Sequence, residues 1–428
     1  MGELIIGITP LCTLPYFQGT TVPADVHPVP GGGRSPPATR PAHHTGRVYA
    51  VSVARNRRRH DRLVTRVVLI AYAAVVLLAM AGPTHESPSL RLGIAYGDRL
   101  VRMSDHDLGA ALDDAVRVGA RWVRTDLSWQ DIQPDGPDRY RWELFDRVIA
   151  AAAERDLTVL PILGFTPAWA RPAGCAGQEC HPAAPKAFAA FAAAAAARYA
   201  PRGVHTWEVW NEPNLTGSWK PMPDATTYTA LLRAASQALR QTDPSAYVVL
   251  GGLAAASTRH GDVSHTDFLE AVSAYGGNRF VDAVGYHPYT YPYLASDETQ
   301  WGTPWEQIDR TRDSLRGVLS AHGTPDVPVW ITEFGAPTGG PGHASDGGPE
   351  TIGERTTHVT EERQASIAAD AVRTANATPH IDALMWYAER DLATDTSSNE
   401  NFYGLRRADG SAKPALGALR DAVAGLMD

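Results

Sequence analysis

"TWEVWNEPN" occupies residues 206–214 and places two tryptophans, two acids and an Asn-Glu-Pro sequence in one short run. Val209 and the tryptophans are typical of a pleated and mostly buried strand. Pro213 cannot continue the hydrogen-bond ladder of a central strand. The run therefore predicts a strand that ends at Asn211 and Glu212, so that an amide and a carboxylate lie at its C-terminal end.

Similar apolar runs recur on both sides of this stretch, as parallel strands buried on both faces require. Together with it they predict eight strands, at residues 91–97, 122–129, 157–165, 204–212, 246–253, 280–289, 328–335 and 381–389. Helical patterns follow the strands at residues 105–118, 142–155, 182–199, 224–242, 266–275, 305–321, 360–376 and 414–427. Eight strand–helix units predict an α/β fold, the (β/α)8 TIM barrel, over residues 83–428. An open doubly wound sheet is the alternative, but no Gly-rich dinucleotide fingerprint follows the first strand.

Active sites of such barrels form at the C-terminal ends of the strands. Glu212 ends the fourth predicted strand and Glu333 lies near the end of the seventh, so we expect the two carboxylates to face each other across the barrel mouth. Paired carboxylates in a pocket lined with aromatic rings indicate glycoside hydrolysis. In that reaction one acid protonates the leaving oxygen, while the other attacks or stabilises the oxocarbenium-like centre.

The motifs WEVWNEPN, HPY and WITEFG, in this order, resemble those of clan A glycoside hydrolases, a large group of retaining (β/α)8 enzymes. The resemblance extends over residues 92–415. The fourth-strand motif is most similar to that of family 39, and the general layout also resembles family 5 cellulases. Family 5 enzymes usually carry a histidine at the end of the third strand, and ILGFTPAWA at residues 162–170 has none. The resemblance therefore favours a family 39-like enzyme.

The resemblance implies a catalytic role for each glutamate, with Glu212 as the acid/base and Glu333 as the nucleophile. It also implies that Asn211 forms a hydrogen bond with the 2-hydroxyl of the substrate. Glu208 lies on the same strand, and period-two alternation places Glu208, Trp210 and Glu212 on one side of it. Glu208 is then either a buried polar group or a rival acid.

Three further polar residues receive supporting roles from the resemblance. Arg124 on the second strand would keep the nucleophile ionised, because a neighbouring guanidinium lowers the pKa of a carboxyl group. His287 would lie near the acid/base, and Tyr289 would orient the nucleophile. A structural ion pair of Arg124 with Asp126 or Glu389 is the alternative, and His287 and Tyr289 could instead be packed polar residues of the core.

Tryptophans at strand ends are candidates for sugar stacking, because aromatic faces pack against the C–H bonds of a sugar ring. The resemblance implies that Trp386 is the platform of subsite −1. Trp129 and Trp169 are further candidates for contacts with the substrate. Packing at the barrel top is the alternative for all three. The resemblance implies neither a metal nor a cofactor.

The N-terminal residues differ in composition from the rest of the chain. Residues 20–45 are rich in Pro, Gly and small polar residues, which predicts disorder. The basic run at 55–66 precedes the apolar run at 67–82, which contains the small-residue triplet Ala79-Met80-Ala81. Residues 55–82 therefore predict a bacterial signal peptide or, as the alternative, an uncleaved N-terminal anchor. Residues 1–54 are then a disordered or wrongly assigned extension, and we expect a secreted or cell-surface protein.

Charge restricts the classes of partner. Residues 1–81 hold 9 of the 39 Lys and Arg and 3 of the 47 Asp and Glu, which leaves 30 against 44 and a net charge of −14 for the remainder. A body this acidic is poorly suited to nucleic acid or to an anionic membrane. It is compatible with a neutral glycan, and membrane contact is expected only if the apolar run stays uncleaved.

Cysteine usage also indicates export. Cys175 and Cys180 lie in PAGCAGQECHP, a Gly- and Pro-rich loop at residues 172–182. In an exported protein this spacing predicts a disulfide. A metal site that includes His181 is the alternative, but the chain has no second Cys/His pair with zinc spacing.

The sequence thus predicts an exported, monomeric, retaining glycosidase of β-linked glycans. A carbohydrate-binding barrel without turnover and a transglycosylase that remodels glycans are the alternatives. The long Gly-rich stretch at residues 336–362 could cover the site as a lid. Deep closure would favour exo action and an open groove endo action.

Overall fold

The computed structural model of the protein describes residues 90–426, in which eight parallel strands form a closed barrel. Each barrel strand pairs with its neighbours in chain order, and the last closes onto the first. These strands are β1 (Arg91–Ala95), β2 (Trp122–Ser128), β3 (Thr158–Gly164), β4 (Thr206–Val209), β5 (Tyr247–Ala254), β6 (Ala283–His287), β7 (Val329–Phe334) and β10 (Ile381–Tyr387). The predicted TIM barrel is therefore confirmed. The predictions for residues 1–54 and 55–82 lie outside the described residues.

Helices surround the barrel. They are α1 (Asp105–Arg117), α2 (Trp129–Ile132), α3 (Glu143–Ala153), α4 (Pro185–Tyr199), α5 (Ala225–Thr242), α6 (His265–Ala274), α7 (Leu315–Ala321), α8 (Glu361–Ala377) and α9 (Pro414–Ala424). Ser104 begins α1 by accepting a hydrogen bond from the backbone N–H of Asp107, and Asp224 begins α5 in the same way. None of the helices within residues 90–426 is long and apolar enough to cross a membrane.

Alternation along the strands divides the apolar side chains into two layers. One set fills the barrel interior and includes Leu160, Val249, Trp330 and Met385. The other set points outward and packs against the helices in a much larger cluster. The interior layer closes the barrel below the mouth, so that the C-terminal strand ends are the floor of an open pocket.

One predicted helix is wrong. The structure breaks residues 305–321 into a 3₁₀ turn at Glu306–Ile308 and the short helix α7. The Glu306 carboxylate accepts hydrogen bonds from the backbone N–H groups of Thr299 and Thr303, which holds this stretch as a loop. The Ser314 hydroxyl then begins a new helix by accepting from the N–H of Gly317.

The loop after β7 contains a small parallel pair of strands, β8 (His343–Ser345) and β9 (Thr356–Val359). Residues 338–359, here called the β8–β9 segment, are tied to the loop after β10. The Asn399 amide donates to the carbonyl of Thr357 at 3.1 Å and to the hydroxyl of Tyr291 at 3.2 Å. Gly339 packs so closely that a Cβ atom there would lie 2.7 Å from the Phe402 ring. The predicted lid is therefore fastened to a second loop.

Candidate active site

Two glutamates meet at the C-terminal end of the barrel. Glu212 follows β4 and Glu333 lies in β7. One carboxylate oxygen of each lies within 4.8 Å of the other, and a ring nitrogen of His287 lies within the same distance of both. The structure thus brings together the pair that the sequence placed on the fourth and seventh strands. Whether they catalyse a reaction remains a prediction.

A left-handed turn delivers Glu212 to the pocket. The strand β4 ends at Val209, three residues earlier than predicted, and both Trp210 and Glu212 have positive φ angles of 73° and 48°. Such angles are uncommon for residues other than glycine and are typical of functional sites. The turn also breaks the alternation, because Trp210 joins the outer aromatic layer, while Glu208 points into the barrel.

A bulge in β7 aims two consecutive side chains inward. Leu384 pairs with Ile331 and Trp386 pairs with Phe334, so that β7 has one extra residue between these two pairs. Bulges of this kind re-aim side chains next to active sites. As a result Thr332 and Glu333 both contact groups inside the barrel.

Arg124 connects three residues at the pocket floor. Its guanidinium donates to both oxygens of Glu208, at 2.5 and 3.1 Å, to Oε1 of Glu333 at 2.5 Å and to Oδ1 of Asn211 at 2.7 Å. Burial alone would lower the pKa of Arg124, but the facing carboxylates of Glu208 and Glu333 raise it above the ordinary arginine value. Arg124 is thus a buried, permanently charged residue whose ion-pair partners are Glu208 and Glu333, and not Asp126 or Glu389.

Glu208 lies below the pocket floor. It is fully buried and accepts hydrogen bonds from Arg124, from the backbone N–H of Gly252 at 2.8 Å and from the hydroxyl of Thr332 at 3.0 Å. All of its partners are donors, and none of its oxygens reaches solvent. Of the two alternatives for Glu208, the buried polar group is confirmed and the rival acid is wrong.

His287 and Tyr289 each contact one of the paired glutamates. The Nδ1 atom of His287 lies 3.0 Å from Oε1 of Glu212, and its Nε2 atom lies 3.1 Å from the hydroxyl of Thr332. The hydroxyl of Tyr289 donates to Oε2 of Glu333 at 2.9 Å. The two side chains therefore occupy the places that the resemblance implied.

The surroundings of Glu333 favour its ionised form. Burial alone would raise its pKa, but the positive charge of Arg124 and the hydrogen bonds from Tyr289 and Arg124 lower it below the ordinary glutamate value. Burial, followed by the charge of Glu333, raises the pKa of Tyr289 well above its usual value. The Tyr289 hydroxyl therefore stays protonated and donates a hydrogen bond to Glu333.

Trp386 is not a sugar platform. Its side chain is only 1% exposed and packs outside the barrel, where it lines a small cavity together with Ile94, Val118 and Leu419 among others. The physical reason is alternation, since Trp386 follows the outward-facing Leu384 by two residues. The sequence prediction for Trp386 is therefore wrong.

Tyr387, which follows Trp386, has the inward orientation instead. It packs against the interior layer with Met385, and its pKa is raised by burial and then by the charges of Glu333 and Glu400. Its ring lies 5.6 Å from that of Tyr403. Tyr387 was not among the residues predicted from the sequence, although the same alternation would have identified it.

Trp129 is also misassigned. It is fully buried, stacks on Phe191, contacts Phe188 edge-on and donates its ring N–H to Gln133 at 2.6 Å. It has the parity of the outward-facing Leu127, so it belongs to the helix layer. Trp129 therefore supports the wall of the barrel and does not face a substrate.

Trp169 remains a candidate. It lies in the loop after β3, is 36% exposed and donates its ring N–H to the carbonyl of Gln133 at 2.7 Å. The hydrogen bond fixes one edge of the ring, while part of its surface is open to solvent. Contact with a substrate stays a prediction for this residue.

The predicted disulfide between Cys175 and Cys180 is confirmed, with their Cα atoms 6.1 Å apart. This loop borders the site, because Glu179 lines a small cavity together with Phe165 and Asn211 among others. Glu179 also forms an ion pair with Lys220 at 3.0 Å, which connects the loop after β3 with the loop after β4. The disulfide thus holds one wall of this cavity.

Two acids that the sequence did not predict as pocket residues lie close to the paired glutamates. Burial raises the pKa of Asp126, on the inward face of β2, to about 8, with a further contribution from Glu333. Burial, followed by the charges of Glu212 and Glu333, raises the pKa of Glu400 to about 7. Glu400 comes from the loop after β10, where no strand or helix pattern marks it. Four carboxyl groups therefore border one pocket.

Glu212, His287 and Glu333 have donor atoms close enough together to hold a cation. Both oxygens of Glu333, however, already accept hydrogen bonds from Arg124 and Tyr289. A cation would also face the buried guanidinium at short range. The donor set thus fits a proton-transferring pair of carboxyl groups better than a metal site.

Comparisons with known proteins identify the family and the fold of the chain. Residues 100–389 match the family model described as Cellulase (glycosyl hydrolase family 5). A β-xylosidase from Geobacillus stearothermophilus is 30% identical over 147 residues, which are 32% of this chain and 27% of that protein. The clan resemblance expected from the motifs is thereby confirmed.

Solved structures share the fold. A family 39 glycoside hydrolase from Bacteroides cellulosilyticus has a TM-score of 0.57 and 22% identity, and the alignment covers 78% of this chain and 64% of that enzyme. GH5_18 from Streptomyces cattleya, solved in complex with GlcNAc, has a TM-score of 0.57 and 21% identity over 79% of this chain and 80% of that one. The chain therefore spans less than two thirds of the length of the β-xylosidase and of the Bacteroides enzyme. Because the family match covers more than half of its length, the chain belongs to glycosyl hydrolase family 5.

Proposed function

We propose that this protein is a retaining β-glycosidase in which Glu333 is the nucleophile and Glu212 the acid/base. The carrying observation is that one carboxyl oxygen of each residue lies within 4.8 Å of the other. Retaining glycosidases place their carboxyl groups about 5–5.5 Å apart, whereas inverting enzymes need about 6.5–9.5 Å to admit a water. The short separation supports retention.

The different surroundings of the two glutamates support their assignment to different roles. Glu333 accepts hydrogen bonds from Arg124 and Tyr289, which keep it ionised and ready to attack the anomeric carbon. Glu212 has no contact with Arg124 and faces His287 through one oxygen. An ionised and a protonated carboxyl group side by side are the arrangement that double displacement requires.

The reaction then follows in two balanced steps. Glu333 forms a bond to the anomeric carbon while the glycosidic C–O bond breaks and the leaving oxygen takes the proton of Glu212. Water then attacks the glycosyl–enzyme, gives its proton to Glu212 and releases Glu333 as a carboxylate. Arg124 occupies Oδ1 of Asn211, which leaves the NH₂ group of Asn211 as the donor for a substrate hydroxyl.

The test uses the full-length protein on a panel of β-linked glycosides that starts with aryl β-xylosides, because a β-xylosidase is among its relatives. We expect the first product to keep the β configuration in NMR spectra. An α product would contradict retention, since it requires direct displacement by water.

Azide rescue shows which glutamate is the nucleophile and which is the acid/base. With an activated aryl glycoside, Glu333→Gly plus azide should give the α-glycosyl azide, and Glu212→Ala plus azide the β-glycosyl azide. The reverse pattern would exchange the two roles. Sugar binding without cleavage by the unaltered protein, unchanged by Glu333→Gln, would instead indicate a carbohydrate-binding barrel.

We further propose that the protein is exported. The Cys175–Cys180 disulfide supports this, because disulfides persist in oxidising compartments. The basic and apolar runs at residues 55–82 support it as well. N-terminal sequencing of the native protein should give a start just after residue 81. A start before residue 55 would contradict cleavage at this site.

A further inference from the structure

Glu208 takes no part in the proposed reaction, yet it is connected to both of the residues that do. Its contact with Arg124 leads to Glu333. Its contact with Thr332 leads to His287 and from there to Glu212, at 3.0, 3.1 and 3.0 Å. The hydrogen-bond chain therefore runs from one reacting glutamate to the other through a single buried carboxylate.

The single hydroxyl proton of Thr332 has two possible acceptors, Oε1 of Glu208 and Nε2 of His287. A hydrogen bond to a carboxylate is about twice as strong as one between neutral groups. If the proton pointed to His287 instead, two oxygen lone pairs would face each other over 3.0 Å in a buried site. The hydroxyl proton of Thr332 must therefore point to Glu208.

The orientation of Thr332 fixes the tautomer of His287. The Thr332 oxygen is left as an acceptor toward Nε2, so Nε2 must carry a hydrogen. A neutral imidazole has one N–H and one acceptor nitrogen, so a hydrogen on one ring nitrogen makes the other nitrogen an acceptor. In the neutral ring the Nδ1 atom therefore presents a lone pair to Oε1 of Glu212, and the proton between them comes from Glu212.

We propose that Glu208 is a positioning residue that, through Thr332, holds His287 as the Nε2–H tautomer and so keeps the proton of the acid/base on Glu212. This inference rests on the proposed function. It extends that function, because it names the buried group that stabilises the acid form of Glu212. Loss of the Glu212 proton leaves two acceptors facing each other over 3.0 Å, so the ionised form readily takes a proton back from the attacking water.

The same carboxylate acts in the opposite sense on the other glutamate. It fixes the guanidinium of Arg124 from below, which directs Nη1 at Glu333. One buried acid thus supports an ionised nucleophile on one side and a protonated acid on the other. The two glutamates differ in protonation state because they are reached through different groups. Arg124 can only donate hydrogen bonds, so it stabilises ionised Glu333. Thr332 accepts a hydrogen bond from Nε2 of His287, which leaves Nδ1 as an acceptor for the proton of Glu212.

Gly252 makes room for the chain. A Cβ atom at this position would lie 2.0 Å from Nε2 of His287 and 2.6 Å from the Thr332 hydroxyl. Its backbone N–H donates to Glu208 at 2.8 Å, and its carbonyl accepts from the N–H of Glu212 at 2.9 Å. The missing side chain is therefore what permits the contact between His287 and Thr332.

Other charged groups face the His287–Glu212 pair from the surrounding elements. They are Glu333 on β7, whose Oε2 lies 3.8 Å from Nδ1 of His287, Arg124 on β2 and Glu400 from the loop after β10. None of them contacts Nε2. Replacement of Thr332 therefore changes the tautomer-fixing contact and leaves these charges in place.

The tautomer is measured directly on the full-length protein with ¹⁵N-labelled histidine, and the His287 signals are assigned by their loss in His287→Asn. At pH 7 we expect a protonated Nε2 and an unprotonated Nδ1. A protonated Nδ1, alone or in an imidazolium, would overturn the proposal. This measurement needs no substrate, so it decides the proposal even if no glycan is cleaved.

Kinetics on a cleaved glycoside provide the second arm, with Thr332→Val, which has nearly the same shape without the hydroxyl, and Thr332→Ser as the matched control. In Thr332→Val the ring is free to place a hydrogen on Nδ1 and so to stabilise ionised Glu212. The basic limb of the kcat/KM profile should then move to lower pH by about one unit, the size expected for a hydrogen bond to a charged group. Thr332→Ser should keep the limb of the unaltered enzyme.

Glu208→Leu should give the same change in tautomer as Thr332→Val, because it removes both oxygens that could orient the hydroxyl. If this variant does not fold, Thr332→Val carries the test. An unchanged basic limb together with an unchanged ¹⁵N pattern in Thr332→Val would overturn the proposal. A purely structural role would lower the activity at all pH values without moving the limb.

Discussion

Nη1 of Arg124 lies 2.5 Å from Oε1 of Glu333, and Arg124 is completely buried beneath it. The guanidinium cannot be replaced by solvent at this depth, so the charge of Glu333 is compensated from one fixed direction. Glu208 compensates Arg124 from below at the same distance. The ionised state of Glu333 is thus set by a buried carboxylate–guanidinium–carboxylate series.

Replacement of Arg124 by lysine should move the acidic limb of the activity profile. Glu333 acts as a nucleophile only above its pKa, and Arg124 lowers that pKa. A lysine ammonium cannot reproduce the forked contacts with both Glu208 and Glu333, so the pKa of Glu333 should rise by about one unit or more. The acidic limb of kcat should move upward by the same amount in Arg124→Lys. An unmoved limb would contradict the role of Arg124.

The same variant should be less stable. Weakening one partner of a buried pair leaves uncompensated charge, and complete removal of a partner costs about 3–5 kcal/mol. Arg124→Met, which removes the charge, should therefore lose more unfolding free energy in urea than Arg124→Lys. Equal losses would mean that shape and not charge holds this site.

Tyr387 and Trp386 should differ in their effect on catalysis when they are substituted. Tyr387→Ala opens the interior face of the pocket, so we expect a lower kcat/KM, and truncation of this packed ring should also cost about 3 kcal/mol of unfolding free energy. Trp386→Phe leaves space in the outer layer and should cost about 1–3 kcal/mol of unfolding free energy without a change in KM. Initial rates and urea unfolding of both variants check this. A raised KM in Trp386→Phe alone would restore Trp386 as the sugar platform.

Glu400 should make the stability depend on pH. A carboxyl group whose pKa is raised to about 7 in the folded state, from about 4.3 when unfolded, stabilises the protein fully below pH 4.3. This contribution is lost as the pH rises through 7. As the pH rises from 5 to 8, the free energy of unfolding should therefore fall less in Glu400→Gln than in the unaltered protein. Urea unfolding at each pH measures this. The exposed Glu350 gives the control, because Glu350→Gln should behave like the unaltered protein.

Reduction of the Cys175–Cys180 disulfide should weaken the cavity wall after β3. The bond closes a short loop with a sequence separation of 5 residues, for which chain entropy gives about 2 kcal/mol. We expect this loss of unfolding free energy in the Cys175→Ser/Cys180→Ser double variant and in the reduced protein. An intact stability in both would mean that the Glu179–Lys220 ion pair and the neighbouring backbone contacts hold the loop without the bond.

The strands and the paired glutamates could be predicted because each depends on local sequence. Apolar runs mark buried parallel strands, and Glu212 and Glu333 follow from the strand positions. The predictions for Trp386 and Trp129 were wrong because they considered only the position at a strand end and not the alternation of side chains along the strand. Tyr387 has the inward parity of Met385, so the sequence contained the correct answer.

Other features could not have been predicted from one sequence. The left-handed turn at Trp210 and Glu212 and the bulge that aims Thr332 and Glu333 inward both break the period of the strands. These breaks depend on neighbouring strands and not on local propensity. The proximity of Glu400 to Glu212 likewise depends on loops far apart in the chain.

The fastening of the β8–β9 segment has a consequence for how this protein could diverge. Asn399 holds that segment through Thr357, and Glu400 is the next residue. A relative with a shorter insertion after β7 would lose the hydrogen bond from Asn399 to Thr357, which positions the residue next to Glu400. Among relatives, the length of the insertion after β7 and the presence of an acid at the position of Glu400 should therefore change together during evolution.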